Sequence, residues 1–247
     1  MPYANNQGVN VHYEVRGTGL PIVFNHGFPR DRTTWYPYAE RLEDKYRCVL
    51  IDGRGMGLTD KPHEIEAYTF EKKVSDTLAV MDELSIEEAV YWGYSMGGGI
   101  GWAAARYAPE RFHALIIGGS EPFRTEADRD LIRQSAARIR SNPDGFPGQD
   151  VEALYASQMG STLGPNFEDV LPTITMPCLV YVGEEDYRFD AIRRAANLIP
   201  NVSFVTLPGK DHTPAHQDVE SVITHALPFL DRVQAGIRTR APSKQPS

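Results

Sequence analysis

Cysteine is scarce in this chain of 247 residues, which contains only Cys48 and Cys178. Each cysteine lies inside a short apolar run typical of a buried strand, where a free thiol behaves as a small hydrophobic group. Two cysteines cannot form a disulfide framework or a cysteine-based zinc site. We therefore expect a reducing compartment and no metal site.

Long apolar runs and clusters of basic residues are also missing. No run approaches the roughly 18 residues of a membrane-spanning helix, and residues 1–6 have neither the basic nor the apolar region of a signal peptide. The formal net charge is −8, without the basic patch that nucleic-acid binding requires. We expect a cytoplasmic protein without nucleic-acid or membrane partners, and the sequence does not determine its oligomeric state.

What the chain does contain is an alternation of short β-rich runs and longer helical patterns. Apolar residues make up 41% of the chain, enough for one large core. The alternation is typical of βαβ units and a mostly parallel sheet flanked by helices. Strands are predicted over residues 9–15, 21–25, 47–51, 89–93, 114–118, 177–183 and 202–207. Helices are predicted over 34–45, 70–84, 96–107, 191–198 and 218–233.

One region interrupts this alternation. Residues 121–174 contain two helical patterns, separated by a loop rich in proline and glycine, and no convincing strand. We predict that they form a small helical cap inserted into a single α/β domain made of residues 1–120 and 175–235. The polar residues 236–247 contain prolines, which predicts a disordered tail.

The strongest chemical signal is the motif GYSMG at positions 93–97. It follows an apolar run and precedes a helix of small residues, the strand–turn–helix context of a nucleophile elbow. The sharp turn lifts the hydroxyl of Ser95 clear of the sheet, and the new helix directs its N-terminal N–H groups at whatever Ser95 attacks. Ser95 is therefore the candidate nucleophile, with an ordinary turn serine as the alternative.

Three further motifs follow predicted strands, namely NHGF at 25–28, DGRGMG at 52–57 and GKDH at 209–212. With the motif around Ser95, they make residues 9 to about 233 resemble the α/β-hydrolase superfamily, in its serine esterase and haloperoxidase-like branch with a short cap. The resemblance implies eight strands with the second antiparallel, a cap after the sixth strand, and the chain order serine, acid, histidine.

A serine hydroxyl is a poor nucleophile at neutral pH and needs a base, which in turn needs an orienting group. The candidate base is His212, because it follows the strand predicted over 202–207 and ligands bind at the carboxyl ends of strands in open α/β sheets. We expect His26 to support its turn structurally. A surface position is expected for the other five histidines, His12, His63, His113, His216 and His225.

The candidate acid is Asp186, which the resemblance aligns with the acid of the family. Its neighbours Glu184 and Glu185 remain open on composition alone. Some members of the family place the acid after the sixth strand, and Glu121 lies there, so Glu121 is the reserve candidate.

The resemblance also assigns an oxyanion hole, formed by the backbone N–H groups of Phe28 and Met96. Candidates for an apolar substrate pocket under the cap are Trp35, Phe123, Tyr155, Met159 and Tyr187, with ordinary core packing as an equally good account.

The favoured function is hydrolysis of a small ester, thioester or lactone through an acyl-serine intermediate, without metal or organic cofactor. Haloalkane dehalogenases and epoxide hydrolases use an aspartate at the elbow, so Ser95 argues against both. A cofactor-free perhydrolase or haloperoxidase and a carbon–carbon bond hydrolase remain alternatives on the same three residues. A receptor-like ligand-binding protein with little turnover is the alternative from another class.

Overall fold

The residues that this computed structural model describes, 2–123 and 125–240, contain eight strands and eight α-helices. The strands are β1 Tyr3–Asn6, β2 Val9–Arg16, β3 Leu20–Asn25, β4 Tyr46–Ile51, β5 Ala89–Tyr94, β6 Phe112–Gly118, β7 Cys178–Gly183 and β8 Val202–Leu207. The helices are α1 Tyr36–Leu42, α2 Phe70–Glu83, α3 Met96–Tyr107, α4 Glu126–Ser141, α5 Val151–Gly160, α6 Phe189–Ala196, α7 His212–Gln217 and α8 Val219–Arg240. In the ranges described, no helix is both long enough and apolar enough to cross a bilayer.

The strands form one sheet in the order β1-β2-β4-β3-β5-β6-β7-β8. Strand β2 pairs antiparallel with both β1 and β4, and the remaining neighbours are parallel. The expected eight-stranded, mostly parallel α/β-hydrolase sheet is therefore confirmed. Strand β1 was not predicted from the sequence because it has only four residues and half of them are polar. It forms the edge of the sheet by pairing with β2, for example Tyr3 with His12.

Helices cover both faces of the sheet, which explains why the central strands are apolar throughout. Neighbouring side chains of β3 illustrate the division: Val23 belongs to the apolar cluster that includes residues of α2, α3 and α6, whereas Phe24 belongs to the cluster that includes residues of α1 and α8. Since successive side chains of a strand point to opposite faces, one short run serves two cores.

Among its described residues, the segment between β6 and β7 contains no strand and consists of α4, α5, short 3₁₀ turns and connecting loops. Helices α4 and α5 pack against each other, and a small cluster of Met56, Ile139 and Leu154 joins them to the sheet domain. Helix α5 also lies on the 3₁₀ turn Ile65–Tyr68, so closely that a Cβ at Gly160 would stand 2.5 Å from the carbonyl oxygen of Ile65. These contacts hold the segment over the carboxyl ends of the strands.

The last helix is longer than the sequence indicated. Helix α8 continues to Arg240, so the prediction of disorder was wrong for residues 236–240. The helical spacing of Val233 and Ile237 accounts for the extension, because both side chains pack on the core beneath α8. The rest of the predicted tail, residues 241–247, lies outside the described residues.

Candidate active site

Ser95 occupies the turn between β5 and α3. Its backbone has φ of 55° and ψ of −113°, a region that residues with a side chain rarely adopt. The Ser95 N–H donates to the carbonyl oxygen of Gly118 at 2.9 Å, and the Ser95 carbonyl accepts from Gly99 at 3.0 Å. Strand pairing on one side and the first helical turn on the other therefore hold this conformation.

Glycines at positions 93 and 97 permit the turn because the backbone passes too close for any side chain. A Cβ at Gly93 would lie 2.2 Å from the carbonyl oxygen of Gly97, and one at Gly97 would lie 1.9 Å from the carbonyl oxygen of Asn25. Both distances are far shorter than a van der Waals contact. The glycine spacing of the motif is thus a steric requirement of this turn.

The three residues proposed from the sequence as nucleophile, base and acid meet at the carboxyl ends of β5, β7 and β8. The Nε2 atom of His212 lies 3.0 Å from the Oγ of Ser95, and its Nδ1 atom lies 2.6 Å from the Oδ2 of Asp186. A carboxylate accepts the proton of Nδ1, which leaves Nε2 as an acceptor for the serine hydroxyl. The arrangement has the geometry of a Ser-His-Asp triad.

The acid is well defined by its surroundings. Of the three consecutive acids, Asp186 is buried, whereas Glu184 and Glu185 are exposed. Burial raises the pKa of the Asp186 carboxyl, but hydrogen bonds from His212 and from the backbone N–H of Arg188 outweigh burial, so the net pKa lies below its usual value. Asp186 is therefore ionised near neutral pH.

The reserve acid has a different partner. Oε2 of Glu121 lies 3.0 Å from Nε of Arg188, and the same guanidinium places its Nη1 atom 3.4 Å from Nδ1 of His212. Arg188 thus stands between Glu121 and the imidazole. The sequence had not singled out Arg188, although its position two residues after the acid could have done so.

The turn that contains Phe28 lies directly beside the nucleophile. A Cβ built on Gly27 would lie 3.3 Å from the Cβ of Ser95, and both Phe28 and Met96 line the cavity at Ser95. Met96 is the first residue of α3, where backbone N–H groups have no intrahelical acceptor. The two residues predicted to form an oxyanion hole therefore both border the nucleophile.

His26 ties that turn to its neighbour. The backbone N–H of Gly53 donates to Nε2 of His26 at 2.9 Å, so the ring proton resides on Nδ1, which lies 2.9 Å from the carbonyl oxygen of Gly27. Burial lowers the pKa of His26, which keeps the ring neutral in this role. The imidazole therefore bridges two loops instead of facing substrate.

Two histidines expected at the surface are shielded inside the protein. His12 is buried, with Nδ1 at 3.0 Å from Oδ2 of Asp52. The ring of His216 stacks on Tyr94 and Tyr38, and neither of its nitrogens has a hydrogen-bond partner among the described residues. Burial, with a smaller contribution from the neighbouring histidines, lowers the pKa of His216 to about 3. The surface expectation was wrong for both, because β1 covers the edge of the strand that carries His12 and because the ring of His216 lies against aromatic side chains of the core.

A cavity of about 460 Å³ opens above Ser95 and His212. Phe28, Met96, Glu121, Tyr187 and Arg188 line its lower part, which is formed by the sheet domain. Its upper wall comes from α4, through Asp128, Leu131, Ile132, Ser135 and Arg138, and from α5, through Ser157 and Gln158. The volume suits a small molecule.

Most of the aromatic residues expected in the pocket lie elsewhere. Tyr187 lines the cavity, but Trp35 is fully buried in the core against Phe24 and Trp92, and Phe123 is a core residue. The pocket expectation was wrong for these two because both pack inside the sheet domain.

The same expectation was wrong for Tyr155 and Met159, which do not line the cavity. Of the residues of α5, Ser157 and Gln158 form part of the cavity wall. Tyr155 instead packs against Arg140, whose guanidinium carbon lies 3.4 Å from the ring centroid.

Comparisons with known proteins show the fold family of the chain. A family model described as the alpha/beta hydrolase fold matches residues 21–165. An epoxide hydrolase from Caballeronia sordidicola is 31% identical over 128 residues, which represent 51% of this chain and only 39% of that protein. A "Putative non-heme chloroperoxidase" from Synechocystis sp. is 27% identical, with 93% of this chain and all of that protein covered. A thermophilic esterase from Thermogutta terrifontis superposes with a TM-score of 0.82 at 27% identity, covering 94% and 97% of the two chains.

Proposed function

The chain belongs to the α/β hydrolase fold family, and from this premise we propose that it is a serine hydrolase that cleaves a carboxylic ester, thioester or lactone. The observation that carries the proposal is the continuous contact from Ser95 Oγ to His212 Nε2 at 3.0 Å and from His212 Nδ1 to Asp186 at 2.6 Å. A nucleophile, a base and an orienting carboxylate in this order are what acyl transfer to serine requires.

Acylation begins when His212 accepts the hydroxyl proton as Ser95 Oγ bonds to the carbonyl carbon of the substrate. The carbonyl oxygen becomes negatively charged and receives hydrogen bonds from the N–H groups of Phe28 and Met96, each worth about 3 kcal/mol in the transition state. The imidazolium then protonates the leaving oxygen or sulfur as its bond to carbon breaks. The product of this half-reaction is an acyl-serine.

Deacylation repeats the sequence with water. His212 removes a proton from a water molecule that attacks the acyl carbon, and Ser95 leaves with the proton that the imidazolium returns. Asp186 stabilises the imidazolium in both halves, because its lowered pKa keeps it negatively charged. None of these steps calls for a metal or an organic cofactor.

We assign to residues 121–174 the role of a cap. Residues of α4 and α5 form the upper wall of the cavity that contains Ser95. A cap in this position limits the access of bulk water to the acyl-serine and contributes to substrate selection, because its side chains line the cavity that contains Ser95.

Two related activities use the same three residues. The full-length similarity to the chloroperoxidase-like protein of Synechocystis sp. makes a cofactor-free perhydrolase the second candidate. There, hydrogen peroxide would replace water as the acceptor of the acyl group. Epoxide hydrolysis is disfavoured despite the similarity to an epoxide hydrolase, because the elbow carries serine instead of the aspartate of that class.

A fluorophosphonate probe tests the proposal, because it reacts with an activated serine. The wild type should be labelled, Ser95→Ala should not, and the control Ser141→Ala, on the exposed end of α4, should be labelled like the wild type. p-Nitrophenyl esters of graded chain length, lactones and a peroxide-dependent halogenation assay then separate ester, lactone and perhydrolase activity. An unlabelled wild type under conditions that label a known esterase would favour the ligand-binding alternative.

A further inference from the structure

The cavity above Ser95 contains two arginines in different electrostatic situations. Arg188 is paired with Glu121 at 3.0 Å. Arg138 lies on α4, is exposed in the same cavity, and has no carboxylate within ion-pair distance among the described residues. Arg138 is therefore a cation whose charge no neighbouring side chain balances.

The acids of the cavity do not compensate Arg138. Glu121 is held by Arg188, and Asp128 is held by the N-terminus of α4, where it accepts hydrogen bonds at 2.7 Å from both the backbone N–H and the hydroxyl of Thr125. Asp128 precedes Arg138 by ten residues, which places the two about 15 Å apart along the helix. The end of the cavity near Arg138 thus carries a local positive charge.

Two hydroxyl groups belong to the same wall. Ser135 lies one helical turn before Arg138, on the same face of α4. Ser157 lines the cavity from α5, is nearly inaccessible to solvent, and its hydroxyl has no hydrogen-bond partner among the described residues. An unpaired buried hydroxyl is unfavourable, and an acceptor atom bound in the cavity would satisfy it.

We propose that the substrate carries a free carboxylate, which binds Arg138 while the reacting carbonyl lies at Ser95. The inference rests on the hydrolase function proposed above and names its substrate class: esters or lactones of a carboxylate-bearing acid. A guanidinium matches the two oxygens of a carboxylate, and Ser135 and Ser157 supply further donors. A doubly charged phosphate fits less well, since one arginine would leave a negative charge in a cavity that already contains Glu121 and Asp128.

Part of the cavity wall is apolar. Leu131 and Ile132 line the cavity from α4, and Leu131 is 59% exposed. The carbon chain of the substrate would contact this apolar surface. The substrate is thus expected to be apolar in the middle, with an ester at one end and a carboxylate at the other.

Two p-nitrophenyl esters of glutaric acid test the inference, one with a free carboxylate and one with that carboxylate methylated. The measured quantity is the ratio of kcat/KM for the charged ester to kcat/KM for the methylated ester. In the wild type this ratio should exceed one and should fall with added salt, because salt screens exposed charges. In Arg138→Gln the ratio should drop by about tenfold, the usual effect of losing a charge-assisted hydrogen bond.

Matched variants separate this role from a general effect of charge. Arg138→Lys should retain part of the preference. Arg133→Gln should retain all of it, because Arg133 lies on the same helix but pairs with Glu126 and Asp130 outside the cavity. Equal ratios in the wild type, Arg138→Gln and Arg133→Gln would overturn the carboxylate site.

The failure of this inference is distinguishable from the failure of the proposed function. A wild type that hydrolyses both esters equally through Ser95 remains a serine hydrolase, and only the carboxylate site is refuted. A wild type that hydrolyses neither ester and resists the fluorophosphonate refutes the hydrolase proposal and the substrate class together.

Discussion

The phenol of Tyr94 donates a hydrogen bond to the main-chain carbonyl of His212, with the two oxygens 2.5 Å apart. Tyr94 immediately precedes Ser95, so this bond links the strand end that carries the nucleophile to the loop that carries the base. The distance between Ser95 and His212 is therefore held by a contact behind the triad as well as by the triad itself.

Replacing Tyr94 with phenylalanine tests that link. Tyr94→Phe should lower kcat by about 3- to 10-fold, because a net hydrogen bond is worth about 1 kcal/mol and its loss lets His212 shift. KM should change less than kcat, since the phenol lies behind the imidazole. Tyr107→Phe, at an exposed tyrosine, is the control and should match the wild type. Unchanged kcat in Tyr94→Phe would mean that the loop is positioned without this bond.

The identity of the acid is tested by comparing Asp186→Asn with Glu121→Gln. Asp186→Asn should reduce kcat by about 10⁴-fold. The amide favours the wrong tautomer of the His212 ring, and it carries no negative charge to stabilise the imidazolium. Glu121→Gln frees Arg188 but leaves the imidazole oriented, so we expect a loss of no more than about tenfold. Steady-state kinetics with thermal melting as a folding control decides between them, and a larger loss in Glu121→Gln would transfer the role to Glu121.

The shielded imidazole of His216 makes stability depend on pH. Its pKa is about 3 in the folded protein against 6.5 for an ordinary histidine, so the unfolded chain binds the proton more readily. Stability should therefore be full above about pH 6.5 and should decrease as the pH falls toward 3. At pH 5 the loss from this group is about 2 kcal/mol.

Thermal melting at pH 7.5 and pH 5 measures this effect. His216→Phe should lose less stability between the two pH values than the wild type, because phenylalanine keeps the stacking on Tyr94 without a titrating group. His225→Gln, at an exposed position of α8, should behave like the wild type. An identical change in stability between the two pH values in all three proteins would show that His216 does not cause the loss of stability at acid pH.

Two helical glycines provide a test of the steric account of the elbow. Gly97→Ala should destabilise the protein by several kcal/mol, because the new Cβ would overlap the backbone carbonyl of Asn25. Gly236→Ala, in α8, meets nothing within 4 Å and should instead stabilise by about 0.5–1 kcal/mol through helix propensity. Chemical denaturation measures both, and a tolerated alanine at position 97 would contradict the requirement for glycine there.

Much of the site could be predicted because its members follow strands. Ser95, Asp186 and His212 come directly after β5, after β7 and after the turn that follows β8, and parallel strands end at the same edge of a sheet. Strand position was therefore sufficient to nominate Ser95 and His212, whereas the choice of Asp186 over Glu184 and Glu185 came from the resemblance to the family. Their separations of 2.6 and 3.0 Å depend on the turns between strand and side chain, which the sequence pattern does not describe.

The cavity wall was predicted poorly. Four of the five aromatic and sulfur-containing residues expected there lie elsewhere. Arg138 and Arg188 do line the cavity, but neither belongs to a sequence motif that would have predicted it. Helical periodicity indicates which residues share a face, but not which face is turned toward another segment. Hydrophobic side chains such as Trp35 also serve equally well in a core or in a pocket.

The sequence by itself determined the order of most strands and helices, the strained turn at Ser95 and the strand-end positions of acid and base. These features depend on local backbone preference and on apolar runs, which neighbouring residues specify. The tertiary structure alone decided which side chains of α4 and α5 face Ser95, and that His216 is shielded behind Tyr94. Such outcomes depend on the docking of segments far apart in the chain, where packing complementarity and not local preference selects the orientation.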